Sequence, residues 1–185
     1  MKVLPLMSFN AAGLDTRFGR AEDWKRKLEE VTGNPVIETL TGAEPLGPKN
    51  MADMMVIAPC TGTTLAKLAL GISDTPVTLG AKSLLRNGKP VVLALSTNDG
   101  LGASAANLAA LGLRKNFYLV PYRQDAPHQK PASLQSEFEL LQDSMEAALE
   151  GRQLQPVVLD TAPVYGALLR AGLRQTEENR KPFLV

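Results

Sequence analysis

The chain has 185 residues, 44% hydrophobic and 21% charged, with a formal net charge of +1. This fits one globular domain with a full core. The scattered Lys and Arg make no basic face for nucleic acid, and no apolar run reaches the ~18 residues that span a bilayer. A single cysteine and a single histidine exclude an internal disulfide and a Cys/His zinc site. With no signal-like opening segment, a reducing cytoplasm is the simplest compartment.

Residues 3–7 read as a strand ending at Ser8, with Pro5 awkward for a central position. Residues 10–19 read as a loop. Residues 20–32 read as a helix with Ala21, Trp24, Leu28 and Val31 on its core face and Gly33 as its stop. Residues 36–40 suit a short strand and 41–50 a loop. An apolar run from Met54 to Ala58 halts at Pro59; a polar loop covers 60–64, and a helix follows from Leu65. Another helix starts at Asp74-Thr-Pro-Val and runs to about Arg86, closed by Asn87-Gly88.

Residues 90–95 read as a second buried strand, 96–102 as a polar turn, 103–114 as an Ala-rich helix and 117–120 as a third strand. After a loop over 122–131, Ser133 is placed to cap a helix with the face Leu134, Phe138, Leu141, Met145 and Leu149, ended by Gly151. Residues 155–159 form an extended piece. One domain over residues 1–160 is expected, then an extension over 161–185 with a short helix and a partly disordered end.

Alternating strands and helices predict an α/β fold, a three-layer doubly wound sheet that is mainly parallel. Such sheets bind ligands beyond the carboxyl ends of their strands. Four polar clusters fall there: Ser8 with Asn10; Thr61, Gly62, Thr63 and Thr64; Ser96, Thr97, Asn98 and Asp99; and Arg123 with Gln124 and Asp125. Free N–H groups and hydroxyls at a helix start suit phosphate or carboxylate, and Lys67, one turn on, can neutralise such an anion. Asp99 is the acid of its cluster, able to orient a donor or take a proton, with Asn98 beside it. Arg17 suits bidentate carboxylate binding. Each also has a plainer reading: Thr61 to Thr64 and Ser96 to Asp99 as helix caps and turns, Lys67 and Arg17 as solvated side chains. Cys60 reads as a small core residue and His128 as a solvated loop residue.

The segment Ala58-Pro-Cys-Thr-Gly-Thr-Thr-Leu-Ala-Lys-Leu-Ala-Leu-Gly resembles the Ala-Pro-x-(Ser/Thr)-x-x-Thr-x-x-Lys-x-Ala-x-Gly signature of the FMN-binding flavoprotein superfamily. That superfamily includes phosphopantothenoylcysteine decarboxylases and flavin prenyltransferases. Further blocks resemble one branch, the B subunits of dipicolinate synthase: Asp15-Thr-Arg-Phe-Gly, Gly42-Ala-Glu-Pro-Leu-Gly-Pro-Lys, the run from Asn87 to Gly102, Gln124-Asp-Ala-Pro and Gly151-Arg-Gln-Leu-Gln-Pro-Val. Several blocks in one order are more specific than one motif.

The resemblance implies a Rossmann-like flavoprotein fold and a cytoplasmic protein of sporulating bacteria; a homo-oligomer is also expected. It implies a partner, the A subunit of dipicolinate synthase, carrying NAD(P) and oxidising dihydrodipicolinate to dipicolinate. With the strand-end positions above, FMN is expected near Ser8, Asn10, Thr61 to Thr64, Lys67, Ser96 and Thr97; a small dicarboxylate near Arg17, Gln124 and Asp125; and catalytic work at Asn98 and Asp99. Family members open with a strand, a Gly-Ser-rich phosphate loop and a helix. This chain reads as starting at the second strand. An open central slot, weak stability or rescue by an oligomer partner are therefore expected, and the missing loop counts against FMN. The alternatives are an FMN-binding decarboxylase or prenyltransferase and a non-catalytic binding or scaffold subunit. Leu95-Ser-Thr-Asn replaces the decarboxylases' Pro-Ala-Met-Asn, and the prenyltransferases' Arg-Glu-Thr-Pro turn is absent.

Overall fold

Five consecutive residues with no solvent exposure, Val91 to Leu95, organise the molecule. A strand buried on both faces needs cover on both sides, which is the layered α/β solution. Residues 2–160 are described by the computed structural model; the expected extension over 161–185 lies outside them.

Strand β2 (Val91–Thr97) pairs in parallel with β1 (Met55–Cys60) on one side and β3 (Phe117–Leu119) on the other. Val91, Leu93 and Leu95 face a core shared with α4 (Gly62–Leu70), α5 (Pro76–Arg86) and α6 (Ala105–Gly112). Val92 and Ala94 face the other way, with Ala148 of α7 (Leu141–Leu149). The period of two along one strand thus builds both interfaces of a three-layer α/β fold.

Beyond β3 the sheet changes character. Short strands β4 (Tyr122–Arg123) and β5 (Leu134–Ser136) add on antiparallel, β5 wedged between β4 and the carboxyl end of β2. Ser136 pins the wedge: its buried hydroxyl accepts from the Leu95 N–H at 2.8 Å and donates to the Val120 carbonyl at 3.0 Å. The helix expected from Ser133 therefore starts later, after a 3-10 turn over Phe138–Leu140. Ser133, Leu134 and Ser136 are buried in this wedge.

Pro59 does not end β1, which continues through a cis Ala58–Pro59 bond to Cys60 with a break in register. Helix α4 starts earlier than expected, at Gly62, with Thr61 as its cap. Thr75 opens α5 with a reciprocal Thr75–Thr78 capping box.

The first 50 residues hold less regular structure. The expected strands over 3–7 and 36–40 reduce to one parallel bridge, Leu6 with Ile37. The expected loops over 10–19 and 41–50 hold helices α1 (Phe9–Gly13) and α3 (Leu40–Ala43) and a 3-10 turn over Glu44–Leu46. Helix α2 (Ala21–Thr32) stops at left-handed Gly33 as expected. Its expected core face is open: Ala21 is buried, but Trp24, Leu28 and Val31 are exposed, Val31 at 79%. The spacing is amphipathic, yet no described element packs over that stripe.

Candidate functional site

Two cavities meet at the carboxyl end of β2 and share Ser96, Thr97 and Asn98 as a common wall. The larger, about 580 Å³, is closed by the first turn of α4 on one side and by Ser104 and Asn107 on the other. Thr61 forms that turn, its hydroxyl accepting from the Thr64 N–H at 3.5 Å. Gly62 follows because the approach is close: a Cβ there would lie 3.0 Å from Asp99 Oδ1, Thr97 Oγ1 and Ser104 Oγ.

The Asp99 carboxylate therefore sits against the positive end of α4. It accepts hydrogen bonds from the hydroxyls of Thr97 and Ser104, which hold its pKa below the usual carboxylate value. Such an acid is a weak proton acceptor at neutral pH and a persistent negative charge. No Lys or Arg among the described residues lines this cavity. Lys67, the expected counter-charge, is held at 2.9 Å by both oxygens of Asp74 and lines neither cavity.

The smaller cavity, about 250 Å³, has the opposite charge balance. Arg17 reaches it from the turn before α2, Lys130 and Asp125 from the loop after β4, and Gln135 from β5. Lys130 Nζ lies 3.3 Å from Asp125 Oδ2. Burial pushes the Asp125 carboxyl up, but the Ser133 hydroxyl, Lys130 and the Ala126 N–H outweigh it, and the net shift is down.

Sequence reasoning and structure meet unevenly here. Thr61, Gly62, Thr63 and Ser96 to Asp99 converge on the larger cavity, and Arg17, Asp125 and Ser96 to Asn98 on the smaller. Ser8, Asn10, Thr64 and Gln124 line neither: Ser8 caps α1, Thr64 supports the α4 cap, and Gln124 Nε2 donates to the Pro131 carbonyl at 2.7 Å. Sequence reasoning misses Ser104, Asn107, Lys130, Ser133 and Gln135. The alternation Ser133, Gln135 about buried Leu134 is the available signal for the last two. Cys60 is fully buried, and burial pushes its thiol up to about 12. His128 lines neither cavity.

Residues 10–122 match the family model described as Flavoprotein. The chain is 44% identical over 159 residues to the B subunit of dipicolinate synthase from Bacillus subtilis (strain 168), covering 86% of this chain and 80% of that protein. It resembles the crystal structure of the B subunit of dipicolinate synthase from Bacillus halodurans with a TM-score of 0.79 and 44% identity, covering 87% of this chain and 83% of the other. The FMN-dependent cysteine decarboxylase SpaF shares the fold, with a TM-score of 0.54 at 22% identity over 80% of this chain and 97% of the other.

The larger cavity suits the ring half of a flavin: Thr61, Thr63, Asn98 and Asn107 supply polar contacts beside the small Ala66 and Ala103. It suits a phosphate poorly, having Asp99 and no cation among the described residues that line it. On the family match over more than half its length and its likeness to the two B subunits, the chain belongs to the Flavoprotein family.

Proposed function

We propose that this chain is the B subunit of a dipicolinate synthase. It works in the cytoplasm of a sporulating cell with an A subunit that carries NAD(P), in the oxidation of dihydrodipicolinate to dipicolinate. The observation that carries this reading is the 44% identity to the Bacillus subtilis protein, spread over most of both chains. The paired cavities support it: one has room for a planar ring, the other has the charge for a small anion.

FMN is the implied cofactor of the larger cavity, and when bound a flavin supplies two-electron chemistry. The residues that would hold its ring are Thr61, Thr63, Asn98 and Asn107. Asp99 keeps its negative charge at the helix start, and Asn98, facing both cavities, can orient a ligand in either. Exposed Phe18, Trp24 and Val31 support an oligomer or a partner contact in the first quarter of the chain.

The test is turnover. Product should form from dihydrodipicolinate when the two chains are mixed, and equal product from the NAD(P)-carrying partner on its own removes the reading. Alanine at Thr61, Asn98 and Asp99 separates a chemical role from a scaffold: a scaffold leaves turnover of the assembled complex unchanged. Flavin absorbance on the purified protein, or its return on adding FMN, tests the cofactor.

A further inference from the structure

We propose that the smaller cavity is a clamp for a compact dicarboxylate, with the Arg17 guanidinium and the Lys130 ammonium as its two cationic jaws. This deepens the dipicolinate synthase reading and rests on it.

Charge and unused hydrogen-bonding capacity gather in this cavity. Among the described residues, two cations and one acid, Asp125, line a space of about 250 Å³. Arg17 stacks over the Phe18 ring, 4.8 Å from its centroid, and has no acidic partner among the described residues. The Asn98 amide has no hydrogen-bond partner among the described residues. Gln135 accepts from the Ser96 hydroxyl at 2.9 Å through Oε1, and its NH2 is unengaged among the described residues. A carboxylate offers acceptors to all of these groups, and a guanidinium fork takes one bidentately.

The fold also holds both cations in place. Arg17 sits at the tip of a turn closed by two hydrogen bonds of 3.0 Å between Thr16 and Gly19. Asp15 Oδ1 accepts the Ala21 N–H at 2.9 Å and ties that turn to the start of α2. Gly19 is required there: its φ is 133°, and a Cβ would lie 2.9 Å from Trp24 Nε1. On the opposite side Lys130 already rests 3.3 Å from a carboxylate, that of Asp125. The contact shows the geometry in which Lys130 receives such a group, and its length leaves it open to exchange.

Strand register aligns the cavity's third wall. Gln135 pairs with Ser96 on one side and Arg123 on the other, so the three side chains share one face. Arg123 pairs with Glu137 at 3.0 Å, but its Nε is buried with no partner among the described residues. That face thus carries Arg123, paired to Glu137, beside the Gln135 side chain that enters the cavity. The volume admits one substituted six-membered ring and excludes a flavin or a dinucleotide. Through the shared wall, a ligand there lies beside whatever fills the larger cavity.

The anion could instead be the phosphate of a flavin, and the experiment separates the two. Calorimetric titration of the full chain uses pyridine-2,6-dicarboxylate, pyridine-2-carboxylate, FMN and riboflavin. The wild type should bind the dicarboxylate at least tenfold tighter than the monocarboxylate. Arg17→Met and Lys130→Met should each weaken the dicarboxylate about tenfold or more and flatten that ratio, with unchanged circular dichroism and melting. Arg17→Lys should recover part of the loss, and Arg26→Met on exposed α2 should change nothing. No wild-type binding at millimolar ligand, or unchanged affinity in both Met variants, overturns the clamp. So does a loss confined to FMN, which would make the cavity a phosphate seat.

Assembled with the NAD(P)-carrying partner, the two Met variants should raise KM for the dihydro substrate more than they lower kcat. Dipicolinate formation with KM unmoved sinks the clamp and spares the dipicolinate synthase reading. Dicarboxylate bound through both cations, with the partner needing no help to form product, does the reverse.

Discussion

The two cavities share a wall and differ in charge. Among the described residues, the larger is polar but carries a single, firmly ionised acid, and the smaller gathers two cations around one acid. The sequence pattern points to a different arrangement, an anion at the Thr-Gly-Thr-Thr helix start. The lesson is that a helix dipole is a site for a ligand only while the protein leaves it unanswered. Here Asp99 answers it, and the cationic cavity lies on the other side of Asn98.

The largest expected disturbance of that contrast is Leu134→Ala. Leu134 is 3% exposed, and a Cβ on Gly100 would meet it at 2.7 Å. Loss of the side chain should cost about 2–4 kcal/mol in urea unfolding. It should also disorder the wedge, so dicarboxylate binding falls while flavin binding survives. Equal loss of both ligands would mean that the cavities are not separable.

Ser136→Ala comes next, at about 1–3 kcal/mol, because it strands the buried Leu95 N–H and Val120 carbonyl. Chemical denaturation measures it.

Asp99→Asn is smaller in stability, about 1 kcal/mol for weakened hydrogen bonds to Thr97 and Ser104. It is the sharper probe of charge: the ratio of FMN to riboflavin affinity should rise severalfold, and no change would show that Asp99 does not exclude phosphate. The same variant has a pH signature. Asp99 titrates lower in the folded state, so the unfolded chain binds more protons. Its stabilisation is complete above the ordinary carboxylate value of about 4 and disappears as pH falls through the folded value. Below about pH 4 the wild type should therefore lose stability more steeply than the Asn variant in acid-unfolding curves. The smallest effect is Arg26→Ala, within about 0.5 kcal/mol, since its pairs with Asp23 and Glu30 are solvent-exposed.

Much of the parallel core is legible because β2 is an unbroken apolar run and Gly33, Thr75 and Asn87 are local punctuation whose meaning does not depend on the rest of the fold. What the sequence pattern misreads depends on distant partners. Leu134 has the spacing of a helix face with Phe138 and Leu141, yet it lies in a strand because the Leu95 N–H needs the Ser136 hydroxyl, 41 residues away. Trp24, Leu28 and Val31 show a core-like period, but only packing can say whether anything covers it. At the site, Thr61 and Asn98 are readable as polar residues at strand ends. Lys130 is not, because nothing near it in the chain points to Arg17, more than 100 positions earlier.

The Trp24 indole lies against Gly19, two positions from Arg17, and the chain has no other tryptophan. The protein thus carries a built-in fluorophore in α2, packed against the turn that brings the guanidinium to its cavity. Its emission reports the posture of that turn without any label, and quenching by iodide reads how freely the turn is washed by solvent.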